Sequence, residues 1–100
     1  MIRHVVMWKF KSEAEGKTRE ENMGIVRDRL YALLPVIPQL KKMEIGFDIS
    51  RTDTSMDLML LTEFDSVADL KIYAEHPAHV DVAVYVRKVV ETRVVLDTEM

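Results

Sequence analysis

The side chains able to do chemistry in this sequence are few and unevenly placed. Its histidines are His4, His76 and His79, and it has no cysteine. Thiolate nucleophiles, thiolate metal sites and a disulfide framework are thereby excluded. His76 and His79 fall in the run Tyr73-Ala74-Glu75-His76-Pro77-Ala78-His79. Pro77 favours the first turn of a following helix, which puts His79 close to that helix's N-terminus. There the helix dipole opposes an imidazolium, and a neutral imidazole is free to accept a proton as a general base does. His76, preceding a proline, is pushed to extended geometry and away from His79; it either borders the same site or caps the helix. The proline also breaks the helical register that a histidine pair would need to hold a metal, and no third ligand is evident, so no metal is expected. His4 lies among Ile2, Val6, Trp8 and Phe10 on one parity of an alternating segment. A polar ring on such a face is either a hydrogen-bonded core residue or part of a polar cavity.

Several function classes drop out on composition. A formal net charge of −3 leaves no basic surplus for a phosphate backbone, so nucleic acid is not an expected partner. No Gly-rich phosphate loop occurs. Glu20, Glu21, Asp65 and Asp69 sit where helices begin and complement the dipole there. The longest apolar runs, such as Leu58 to Leu61, fall far short of the roughly 20 residues a membrane span needs. The opening Met1 to Lys11 carries Arg3, His4, Lys9 and Lys11 and lacks a leader pattern. A soluble, cytoplasmic domain without a membrane partner is the expectation. At 48% hydrophobic and 31% charged, one hundred residues suffice for a single folded domain over 1–100.

The elements that must position the histidines follow from periodicity. Ile2 to Lys11 reads as a central strand, and the polar stretch Ser12 to Lys17 as a loop. Thr18 and Glu21 make a capping box ahead of Met23, Val26, Leu30 and Leu33 or Leu34, a helix of about four turns that Pro35 and Pro38 close. Gln39 to Asp48 predicts a half-exposed edge strand, and Met56 to Phe64 a second central strand. Ser66, with Asp69 three residues on, starts a helix burying Val67, Leu70 and Tyr73 or Ala74. Ala78 to about Val86 predicts a helical piece beyond Pro77. Lys88 to Asp97 reads as a closing strand, with Val90, Thr92, Val94 and Leu96 on one face and Val89 and Val95 on the other. This βαββαβ order is that of an α+β, ferredoxin-like fold: a four-stranded antiparallel sheet with the helices on one face.

Helices on one face leave the other bare. Its parity carries Val5, Met7, Met59, Leu61, Val89 and Val95, an apolar patch of a size soluble monomers rarely leave in water. A face-to-face homodimer through those residues is therefore expected.

His4-Val5-Val6-Met7-Trp8-Lys9-Phe10-Lys11, the His76-Pro77-Ala78-His79-Val80 block and the closing Val94-Val95-Leu96-Asp97 strand resemble the stress-responsive A/B barrel (Dabb) family. The family lies within the dimeric α+β barrel superfamily, and the resemblance covers essentially the whole chain. It implies a ferredoxin-like protomer and a homodimer packed sheet to sheet. A plant member of the family closes a polyketide ring by aldol-type chemistry without metal or organic cofactor. By that resemblance His79 is the general base, Tyr73 the hydrogen-bond donor to the developing oxyanion, and His4 the group that orients His79 or the substrate. Val6, Trp8, Leu70, His76 and Val80 would line the pocket, and the ligand would be a small apolar or aromatic carbonyl compound. The sequence departs from the cyclase over Asp81 to Val86 and in having Asp97-Thr98 near its end. The alternative is a non-catalytic stress or ligand-binding dimer whose histidines are structural.

Overall fold

Alternation along the first strand decides the layering. In β1 (Ile2–Phe10), Ile2, Val6, Trp8 and Phe10 are buried, while Met7 is exposed and Val5 half-buried, so one face of the strand meets a core and the other does not. The computed structural model describes residues 1–100. After β1 come β2 (Glu13–Ala14), β3 (Lys17–Thr18), α1 (Arg19–Tyr31), β4 (Lys42–Phe47), β5 (Leu58–Phe64), α2 (Val67–Glu75), α3 (Pro77–Val89) and β6 (Val90–Glu99). The sheet has the order β4-β5-β1-β6, and every neighbouring pair is antiparallel. This is the ferredoxin-like arrangement that the element order predicts. The core lies between the helices and the Ile2, Val6, Trp8, Phe10 face, joined by Leu58, Leu60 and Phe64 from β5 and by Met23, Val26 and Leu30 from α1. No helix is long and apolar enough to cross a membrane.

The caps stand where the sequence places them. Thr18 accepts from the Glu21 amide while the Glu21 carboxylate accepts from the Thr18 amide. Those two bonds hold the Glu21 carboxyl below its ordinary pKa. Ser66 accepts from the Asp69 amide at the head of α2.

Four expectations need correction. Ser12 to Lys17 is not a plain loop but the β2–β3 hairpin, whose turn residues Glu15 and Gly16 both have positive φ, 53° and 72°, as a type I′ turn requires. The last helix runs on through Lys88 to Val89, so β6 begins at Val90 rather than Lys88, and Val89 is buried in the core instead of standing on the bare face. Val67, on the first turn of α2, is 67% exposed instead of buried. The parity of β6 is also reversed over most of its length. A bulge at Glu91 sets Val90 opposite Phe10 but Thr92 opposite Lys9, so Thr92, Val94 and Leu96 fall on the bare face. Val95 stands opposite Val6 on the helix side, and therefore not on the bare face to which its parity assigned it.

That bare face carries two apolar rows. Leu61 and Leu96 flank Val5, and Met59 and Val94 flank Met7. Beside them the half-buried Arg3 holds Glu63 at 2.9 Å.

One buried carboxylate fixes the far end of β1. Asp57 accepts from the Phe10 amide at 2.7 Å and from Arg51 at 3.0 Å, and its own amide bonds the Trp8 carbonyl at 2.7 Å. Asp57→Ala strands a buried N–H and two guanidiniums, those of Arg51 and the adjacent Arg19. The expected loss is on the order of 2–3 kcal/mol in urea denaturation; a loss below about 0.5 kcal/mol contradicts this role.

Candidate functional site

A break in the helical layer builds the site. His76 is at once the C-cap of α2 and the N-cap of α3, with φ −62° and ψ 133°, the extended geometry imposed by Pro77. Its Nδ1 accepts from the Ala78 amide at 3.1 Å, so His76 caps the helix and is not on the cavity wall. Because α2 stops there, the Ala74 carbonyl in its last turn lacks a helical partner. The His79 ring fills that vacancy, with Nδ1 at 3.0 Å from the Ala74 oxygen. A carbonyl can only accept, so Nδ1 carries the proton and, in the neutral ring, Nε2 keeps its lone pair.

Between this joint and the sheet lies a cavity of about 460 Å³, within the range of small-molecule sites. His4, Val6 and Trp8 of β1 form its floor with Leu60 of β5; Tyr73 and Ala74 come from α2. From α3 come His79, Val82, Ala83 and Val86 at helical spacing, then Arg87, and from β6 Val90, Glu91, Thr92 and Arg93. The expected trio of His4, Tyr73 and His79 therefore shares one wall, together with Val6 and Trp8. Leu70 and Val80 do not: Leu70 packs against the core, and Val80 is exposed on the outer side of α3, one residue off the inward row.

The electrostatics favour a neutral imidazole at His79. Burial, opposed by the Ala74 bond and reinforced by repulsion from His4, Arg93 and Arg87, lowers the His79 pKa below its ordinary value. The direction matches the sequence expectation, although burial rather than the helix terminus is its first cause. The Tyr73 ring packs on His79 with centroids 4.4 Å apart and on Phe64 at 5.0 Å. Burial raises the Tyr73 pKa far above its usual value, so the phenol stays protonated. Tyr73 is only 1% exposed, and its buried hydroxyl has no hydrogen-bond partner; the indole N–H of Trp8 is likewise buried and unpartnered.

Asp97 is the residue that sequence reasoning missed. It stands opposite His4 in the β1–β6 register, and its carboxylate accepts from His4 Nδ1, fixing the ring on the cavity side of the sheet. Only the strand register, invisible in a parity count, could reveal the pair. No group of three or more His, Asp or Glu stands close enough to hold a metal ion.

The sequence profile described as the stress responsive A/B barrel domain (Dabb) matches residues 2–100. No curated protein matches the chain. Among solved structures, a protein from Bacteroides fragilis, described as dimeric, of unknown function and ferredoxin-like in fold, is 26% identical. The match covers 99% of this chain and 95% of that one, with a TM-score of 0.87. A protein from Arabidopsis thaliana is 22% identical, with 100% and 95% covered and a TM-score of 0.85. The hydroxynitrile lyase of Passiflora edulis is 21% identical, with 97% and 90% covered and a TM-score of 0.83.

Two outcomes follow from the buried groups. Tyr73→Phe removes an unsatisfied hydroxyl, so its thermal midpoint should rise, by about 1 kcal/mol of stability; a lower midpoint contradicts an orphan hydroxyl. For His79 the folded pKa is below the unfolded one, so under pH 6.5 the unfolded chain binds the extra proton and stability falls with pH. In His79→Gln, denaturation midpoints should lose that part of the decline; an unaltered pH profile contradicts the depressed pKa.

Proposed function

The chain belongs to the stress-responsive A/B barrel family, and from that premise we propose a homodimer whose helix-side cavity performs cofactor-independent acid–base chemistry. The substrate is a small apolar or aromatic molecule bearing a carbonyl. One observation carries this reading: a half-buried His79, with Nδ1 tied to the Ala74 carbonyl and its pKa lowered, packs against the ring of Tyr73, whose hydroxyl has no partner, and both residues line a cavity. Nε2 removes a proton from the carbon next to the carbonyl; the C–H electron pair forms a C=C bond to the carbonyl carbon as the C=O π pair moves onto the oxygen. Tyr73 donates to the oxyanion as it forms, relieving its own unmet hydrogen bond. The imidazolium then returns the proton to the product, and His4, held by Asp97, positions the substrate from the floor. That a hydroxynitrile lyase shares the fold supports the architecture as a host for catalysis.

The dimer reading is supported by the rows Leu61-Val5-Leu96 and Met59-Met7-Val94 on the bare face, and by the description of the Bacteroides relative as dimeric. Within the sequence-assigned set, Val5, Met7, Met59 and Leu61 remain the contacts; Val94 and Leu96 take the place of Val95. The competing reading, a ligand-binding dimer with structural histidines, draws on the backbone bonds that His76 and His79 both make.

Deuterium uptake at the α-carbons of phenylacetone, followed by NMR in D₂O, separates the two. Catalysis predicts uptake above the buffer rate, reduced by about 100-fold in His79→Gln; equal rates in the two proteins would leave only the ligand-binding reading. In sedimentation, Leu61→Lys should give monomer, whereas an undiminished dimer would displace the interface from this face.

A further inference from the structure

The mouth of the cavity carries charge that the acid–base scheme does not use. Arg87, near the end of α3, and Arg93, on β6, both border it. All five of the chain's other arginines are engaged: Arg3, Arg19, Arg27 and Arg51 lie on carboxylates, and Arg29 lies over the Tyr85 ring. Arg87 and Arg93 hold no carboxylate and make no side-chain hydrogen bond. Both are close enough to His79 to disfavour its charged form. Arg93 stands opposite Trp8 in the β1–β6 register, so its side chain leaves the sheet on the same face as the indole. Trp8 is 5% exposed, and its N–H is without an acceptor.

Resting on the reading of the cavity as a small-molecule site, we propose that its ligand is a monocarboxylate, with the carboxylate at the mouth on Arg87 and Arg93 and the apolar body within. Guanidinium forks match a carboxylate's two oxygens. The charge count selects a monoanion over a phosphate ester: two guanidiniums face one carboxylate, Glu91, at the same rim, leaving a single positive charge. The bulge at Glu91 is what brings this about, since it resets the strand so that Arg93 and Val90 share the cavity face. A carboxylate anchored there places the deeper part of the molecule beside His79 and Tyr73.

Calorimetric titration of the intact protein with 3-phenylpropanoate, 3-phenylpropanamide and 3-phenylpropyl phosphate tests this. The carboxylate should bind about tenfold or more tightly than the amide, and the phosphate no more tightly than the carboxylate. Arg87→Gln combined with Arg93→Gln should erase the carboxylate preference while leaving the amide affinity in place. His79→Gln should keep the preference, so failure of the proton-transfer scheme and failure of this anion site are told apart. Equal carboxylate and amide affinities in the wild type, a preference that survives the double substitution, or a tighter phosphate would each overturn the assignment.

Discussion

Everything at the site depends on a helix that cannot continue. Pro77 has no N–H to give and forbids helical geometry at His76, so one run of residues from Val67 to Val89 becomes two helices with a joint. The joint leaves the Ala74 carbonyl without a helical donor and restarts the helix with His79 in its first turn. The imidazole meets that carbonyl, and its tautomer is set by the bond. Had the helix run straight, Ala74 would have bonded within it and His79 would have had no fixed tautomer.

Beneath the joint the protein is incompletely packed in a particular way. Much of the space between helices and sheet is filled by Val26, Leu30, Phe10 and Phe64, all almost wholly buried. Toward β6 the filling stops and a cavity remains. Two donors on residues that line it, the Tyr73 hydroxyl and the Trp8 indole N–H, are buried without acceptors. A protein selected only for stability would replace them with apolar groups of the same shape, because an unmet buried donor costs more than its absence.

The layered fold was legible because its signals are local and periodic. The alternating parity of β1, the Thr18–Glu21 box and the Pro77 break each needed only a few neighbouring residues. What the sequence hid were facts of register. The bulge at Glu91 moved Val95 off the bare face and put Val94 and Leu96 there, and no parity count detects an extra residue opposite a partner strand. The His4–Asp97 pair joins residues 93 positions apart and is set by the same register. Val80 was assigned to the pocket through its place in a sequence block, but helical geometry turns it outward, while Val82, Ala83 and Val86 turn in. His4, Tyr73 and His79 line one cavity. The reason lies in the joint and the sheet face, which bring together elements distant in the chain.

The central claim is that His79 is a neutral imidazole with its proton on Nδ1 and an open lone pair on Nε2. Long-range ¹H–¹⁵N correlation of the ring nitrogens at pH 7 reads this directly. The account predicts a protonated Nδ1 and an unprotonated Nε2 for His79; a protonated Nε2, whether in the other tautomer or in an imidazolium, would contradict it.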